Sequence, residues 1–363
     1  MSGTSSEEKE DEVVPNFVRE FVHAATSRDA QSFERLAYTL TDSDSIACLR
    51  KMLEFCGTDL RNWKNTHGWT ILHHLAKIGN ADVINALIRD HNGASFVNIK
   101  SRSDRCPRLF PPHLTPLHVA CMFGRADVVK ILIEAGASVN AKTARAETPL
   151  QLAVKKGYAE VTRLLIQNGG VDVGPSNGPQ SLLHVATRNG HVGVARLLIQ
   201  NGLSKQVKSA FIAIFDKSID EFSVSCEMVN LLVEYGADVN TFLGGAALDK
   251  SAATPLHRVA VQEGCDELAK ILIEHGAKIN VTDENGSSPL IFAATCGNVS
   301  VAKIFIAHGA EVNLQNSKKN SALHCASELG FLSIIKLLVN HGANLHLKDE
   351  QGHTPLAGAC RCG

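Results

Sequence analysis

The sequence predicts an all-α repeat solenoid: helix-turn-helix units joined by β-hairpin fingers and preceded by an N-terminal helical cap. Three observations carry that expectation. A short motif of seven or eight residues recurs in phase over most of the chain. Glycines fall at fixed offsets from each copy of it. The composition is 44% hydrophobic with only 5% aromatic residues, which suits small helices packed closely through Ala, Leu, Ile and Val.

The elements follow in order. Residues 1–14 read as a disordered acidic tail, with Glu7, Glu8, Glu10, Asp11 and Glu12 in one run. Residues 15–60 hold three short amphipathic stretches whose buried faces include Phe17, Phe21, Val22, Phe33 and Leu36, and read as the cap. Residues 61–357 form the repeat domain. Residues 358–363 read as a C-terminal tail or truncated repeat, because Gly352 to Ala359 starts a copy that has no second helix.

The motif stands at Leu114-Thr-Pro-Leu-His-Val-Ala, Glu147-Thr-Pro-Leu-Gln-Leu-Ala, Gln180-Ser-Leu-Leu-His-Val-Ala, Ala253-Thr-Pro-Leu-His-Arg-Val-Ala, Ser287-Ser-Pro-Leu-Ile-Phe-Ala and Asn320-Ser-Ala-Leu-His-Cys-Ala, with Thr354 opening a last one. Steps between the hydroxyl residues are 33, 33, 73, 34, 33 and 33, so the long step hides one degenerate repeat. The hydroxyl caps a helix by accepting a backbone N–H, and Pro at the first helical position wastes no donor. A glycine nine residues on (Gly124, Gly157, Gly190, Gly297, Gly330) stops that helix in the left-handed conformation. An apolar stripe of period 3.6 follows, and a second glycine closes it twelve residues later. The recurring histidines His118, His184, His257 and His324 are expected to bond polar groups of adjacent fingers.

These segments resemble ankyrin repeats, over roughly residues 60 to 357. The resemblance implies two antiparallel helices and a finger per repeat of about 33 residues, stacked so that neighbours stabilise one another. Eight repeats and a partial ninth are counted. The first opens at Thr70 and stops at Gly79, with a second helix over Ala81 to Asp90. The finger after Gly93 carries about ten extra residues, broken by Pro107, Pro111 and Pro112. The hidden fifth repeat has its first helix at Lys208 to Phe215 and an expanded linker over Asp216 to Cys226.

Chemistry is sparse. No phosphate-binding, zinc-protease or serine-hydrolase motif is present, and no nucleophile, base and orienting group cluster, so no enzymatic role, cofactor or metal site is expected. His73 and His74 are neighbours about 100° apart on a helix and cannot face one metal. Cys121, Cys296 and Cys325, within apolar runs, read as buried reduced thiols. The polar acidic N-terminus has no signal-peptide pattern and no apolar run is long enough to span a membrane, so a cytoplasmic or nuclear protein is expected. Basic residues do not alternate with aromatics, which argues against nucleic acid as a partner. Nothing in the sequence sets an oligomeric state.

Charge is uneven. Residues 1–60, 61–200 and 201–363 carry net −6, +9 and −4 within a total of −1. The resemblance places partner contacts at finger tips and at the two residues before each first glycine. In this chain those include Lys77, Met122, Phe123, Lys155, Lys156 and Arg188, with Arg145 on a finger and Lys100, Arg102, Arg105 and Arg108 on the long one. The expected partner is a protein, with an acidic or phosphorylated peptide as the matching chemistry. Three readings follow: a non-enzymatic adaptor, the targeting segment of a larger ankyrin-containing enzyme or channel, and a transcription cofactor or inhibitor.

Overall fold

A computed structural model describes Lys64 and residues 68–90, 96–101, 111–170, 181–215, 225–243 and 253–362. The expected tail at 1–14, the cap at 15–60 and the linker at 216–224 lie outside those residues. Two bodies divide the chain, Met1–Val173 and Gly174–Gly363.

In the first body, the first helices of three successive repeats are α1 (Ile71–Ile78), α3 (Pro116–Met122) and α5 (Pro149–Lys156). Their partners are α2 (Ala81–Asp90), α4 (Ala126–Glu134) and α6 (Ala159–Gln167). The first helices pack side by side in one row and the second helices in another. Ala76, Ala120 and Ala153 are fully buried at the contacts of the first row, where a larger side chain would force the helices apart. Leu117, also fully buried, contributes about 1.5–3 kcal/mol by leaving water.

The second body repeats the scheme. It holds α7 (Leu182–Arg188), α8 (Val192–Gln200), α9 (Val207–Phe215), α10 (Cys226–Glu234), α11 (Pro255–Ala260), α12 (Asp266–Glu274), α13 (Pro289–Cys296), α14 (Val299–Ala307), α15 (Ala322–Glu328) and α16 (Leu332–Asn340). The degenerate repeat is α9 with α10, entered through a single 3-10 turn at Leu203–Gln206. A final helix, α17 (Pro355–Cys362), runs through the boundary placed at residue 357, so 358–362 is helix rather than tail. Leu356 on it is 72% exposed, whereas its equivalents Leu323 and Leu290 are 2% and 1% exposed beneath the next repeat.

The first helices other than α9 start behind a Thr or Ser, as the sequence implies, whereas α9 follows the 3-10 turn directly. The Thr115 hydroxyl accepts the His118 N–H at 3.4 Å, and the His118 ring returns a bond to the cap. The fingers differ from the expectation. Among the described residues β-pairing is limited to two isolated bridges, Leu243 with Ala253 and Gln315 with Ser321. A finger closed by a four-residue turn has arms too short for a ladder.

One packing device recurs without a recurring residue. At three second helices the side chain just before the helix packs against the first-glycine position of the preceding repeat: Arg125 at Gly79, Tyr158 at Gly124, Phe331 at Gly297. Arg125 also donates from Nε to the Lys77 carbonyl at 3.1 Å, satisfying the carboxyl end of α1.

Candidate functional site

In the finger turns among the described residues, one equivalent residue carries the bonding. Thr143 N–H donates to the Glu147 carbonyl at 3.0 Å, and the Thr143 carbonyl accepts the Ala146 N–H at 2.9 Å. Asp283, Asn316 and Asp349 make the same pair of bonds in their repeats. Their side chains complete the turn: Thr143 Oγ1 accepts the Arg145 and Glu147 N–H groups, each at 3.2 Å. Asp283 Oδ1 accepts those of Asn285 and Ser287 at 2.9 and 2.7 Å. Asp349 Oδ1 takes Gln351 and His353 at 2.9 and 2.7 Å.

Ser101 is the corresponding residue of the long finger. Its N–H donates to the Leu114 carbonyl at 2.8 Å, its carbonyl accepts from His113 N–H at 3.1 Å, and its Oγ accepts the Leu114 N–H at 3.0 Å. The insertion therefore springs from the tip of an otherwise ordinary finger. Asn98 and Asn140 fix the register, since each donates its amide to a glycine carbonyl, Gly136 and Gly169, at 3.0 and 2.9 Å. Counted from these asparagines to the next cap, the finger is nine residues longer than its neighbour, not ten. Arg102, Arg105 and Arg108 belong to the insertion and lie outside the described residues. Its base touches the next finger, where Ala144 N–H donates to the Pro112 carbonyl at 2.9 Å.

The third residue after Thr143, Ala146, is in the left-handed region at φ 59°, where Gly286 and Gly352 stand in other fingers. Ala146→Gly is expected to raise stability by about 0.5–1 kcal/mol, the relief of a strained Cβ less the added freedom of the unfolded chain. Urea unfolding of the two proteins side by side measures it, and a loss of stability would show that Ala146 is unstrained.

The same register aligns the charges. Lys100 and Lys142 each stand one residue before the turn residue and both are exposed. Arg145 is exposed at the tip of its finger, and Lys155 and Lys156 are exposed at the end of α5. Met122 and Phe123 are half-buried at the end of α3, and Lys77 is half-buried at the end of α1. Glu147 is the carboxylate of this surface, 3.7 Å from Lys155 Nζ. The structure thus brings Lys77, Met122, Phe123, Lys155 and Lys156 onto the ends of packed neighbouring helices, with Lys100 and Arg145 on the fingers. Arg188, exposed at the end of α7, belongs to the second body. Reading the sequence position by position missed Lys142, although its spacing from Asn140 equals that of Lys100 from Asn98.

The histidines are structural links. His118 Nδ1 accepts the Thr115 N–H at 3.1 Å, so its proton lies on Nε2, which faces the Ala141 and Glu147 carbonyls at 3.1 and 3.3 Å. His73, His257 and His324 reach the Leu114, Ser287 and His353 carbonyls in the same way, at 2.9, 3.0 and 3.3 Å. Burial lowers His73 to about 3 and His118 to about 4 from the ordinary 6.5. His74 packs against Trp69 in a tilted arrangement, with ring centres 5.3 Å apart and ring planes at 56°.

Of the thiols read as buried, Cys121 is buried and burial pushes its pKa up. Cys325 is half-buried. Cys296 is exposed, because it ends α13 on the outward side. Among the described residues no three His, Cys, Asp or Glu side chains converge as a metal site, and no helix is long and apolar enough to cross a membrane.

Paired helices and capped fingers repeated at equivalent positions define a helical-repeat protein. A family model described as ankyrin repeats matches residues 37–143, 140–209, 221–316 and 297–363, and the chain belongs to that family. The first match begins inside the segment read as the cap. The potassium channels AKT1 of Oryza sativa subsp. indica and subsp. japonica are 38% identical to it over 72 residues, 20% of this chain. That match spans 7% of the length of each channel.

Proposed function

We propose that this chain is a non-enzymatic interaction scaffold of the cytosol or nucleus that holds a protein partner on the basic face of its first body. The family supports the module's general role in protein–protein interaction. The observation that carries the finer reading is the grouping of exposed Lys100, Lys142, Arg145, Lys155 and Lys156 around half-buried Met122 and Phe123. Such a surface speeds the encounter with an acidic or phosphorylated segment and gives it an apolar anchor. Lys77 and the arginines Arg102, Arg105 and Arg108 extend the proposed contact set, and Arg188 is its counterpart in the second body.

The test is a paired capture from native cells with the full chain and with Lys155→Glu/Lys156→Glu. A partner that uses this face binds the variant at least about tenfold more weakly, a loss of about 1.4 kcal/mol or more, and with a shallower salt dependence. Equal affinity and equal salt dependence would move the site elsewhere.

The channel similarity favours a second reading, in which these repeats serve as the interaction segment of a longer channel-like protein. Immunoblotting native tissue with an antibody to the repeats measures the size of the natural polypeptide. A band at 39.0 kDa alone would remove that reading.

A further inference from the structure

Among the described fingers the turn residue carries a charge only in the second body. There Asp283 and Asp349 put carboxylates under two fingertips and Asn316 serves the third with a neutral amide, whereas Ser101 and Thr143 do the same bonding in the first body with neutral hydroxyls. Asp283, Ser101 and Thr143 are all buried, so the difference concerns the field at the surface and not a direct contact. Ahead of the turn residue stand Lys100 and Lys142 in the first body, against Thr282, Gln315 and Lys348 in the second. Both described fingers of the first body thus pair an exposed cation with a neutral turn residue, a combination that none of the three described turns of the second body has.

One segment of this chain has the complementary chemistry. Glu7, Glu8, Glu10, Asp11 and Glu12 are followed at once by Val13 and Val14. Five carboxylates interrupted by Lys9, a net of −4, and an apolar pair thus face five exposed cations and Glu147, a net of +4, beside half-buried Met122 and Phe123. The 22 residues from 15 to 36, ahead of the first family match, span about 70–80 Å at full stretch, so chain length allows the run to reach its own first body.

We propose that the finger face of the first body is a docking site for the chain's own acidic run Glu7–Val14, which a partner segment of like chemistry must displace. This rests on the basic face being the partner site. Joined to the same chain, the run acts at a high effective concentration and lowers the apparent affinity of any competitor.

The probe is a labelled synthetic peptide of residues 1–14, followed by fluorescence anisotropy at 50 mM salt. It is added to the full chain and to a full chain in which Glu7, Glu8, Glu10 and Glu12 are changed to Gln and Asp11 to Asn. The neutralised chain is expected to bind the peptide at least tenfold more tightly than the native one, and more weakly as salt rises. In the neutralised background, Thr143→Asp should weaken binding about threefold or more, because Asp283 and Asp349 show that the same turn accepts a carboxylate. Asp283→Thr should change nothing. Lys142→Gln with Arg145→Gln, at exposed positions, gives the same readout if Thr143→Asp disturbs folding.

Equal binding by native and neutralised chains, or binding by neither, overturns the proposal. So does equal binding of a scrambled peptide, which would reduce the effect to net charge. Self-association of the native chain that the peptide reverses would assign the run to a second copy and overturn docking within one chain. If Lys155→Glu/Lys156→Glu still weakens a captured partner while the peptide binds nothing, the face stands and its occupant falls. If that variant affects neither partner nor peptide, the face itself is wrong.

Discussion

Replacing Gly124 with alanine is expected to destabilise the first body by about 2–5 kcal/mol, while Gly136→Ala costs about 1–2. Both glycines are left-handed, at φ 69° and 87°, and both would impose the backbone strain of an L-residue, about 1–2 kcal/mol. Only Gly124 adds a collision. A Cβ there would lie 2.6 Å from Tyr158 Cε1 and 2.7 Å from Cδ1, whereas one at Gly136 meets nothing within 4 Å. The Tyr158 ring is half-buried and planar, so relief requires moving it or the start of α6, at the 1–3 kcal/mol typical of an overfilled contact. Urea unfolding read by tryptophan emission makes the comparison, since both tryptophans, Trp63 and Trp69, lie in the first body. Equal losses from the two substitutions would mean that Tyr158 is not packed beneath Gly124.

That contact also marks the boundary of what sequence reading can reach. The cap, the Pro-Leu start, the stopping glycine and the span of α2 were legible because each is a residue type with one mechanical reason, repeated in phase. The side chain that fills the space over the preceding glycine was not legible. It is Arg125, Tyr158 or Phe331 in different repeats, chemically unlike and alike only in position. Lys142 stands two residues after Asn140 as Lys100 does after Asn98, and the bonds of those asparagines to Gly169 and Gly136 show that the two positions are equivalent. At the finger turn Ser101 and Thr143 make with hydroxyls the bonds that Asp283 and Asp349 make with carboxylates, an equivalence that the bonding shows and the unlike residue types hide. Cys296 went wrong because an apolar run was taken to be buried throughout, whereas the end of a short first helix turns outward. Arg258 is the converse case, a charged residue wholly buried where Val119 and Leu152 stand in their repeats.

The other large effect is acid lability. Each of His73 and His118 is expected to remove about 2 kcal/mol of stability between pH 7 and pH 5. Their folded pKa values, about 3 and about 4, lie below the ordinary 6.5. The unfolded chain therefore binds a proton in this window that the folded chain refuses, and stability falls as pH drops from about 6.5 toward those values. At pH 5 and above most ordinary carboxylates remain ionised, so the window belongs to histidine. The structural reason is local to the cap. Nδ1 of His118 accepts the Thr115 N–H, and protonating it would turn an acceptor into a second donor pointed at that N–H. The bond from Nε2 to the next finger would go with the ring if it turned away, so the strain would spread from one repeat to its neighbour. A natural control exists in the chain: Gln151 Oε1 accepts the Thr148 N–H at 2.9 Å and closes the same cap with a group that does not titrate. His118→Gln should therefore keep the cap, lose the link to Ala141, and unfold in urea with a midpoint that shifts less between pH 7 and pH 5 than that of the native chain. A variant whose midpoint falls as steeply as the native one would show that His118 charges within the folded repeat, and that its ring does not hold Thr115 and the next finger together.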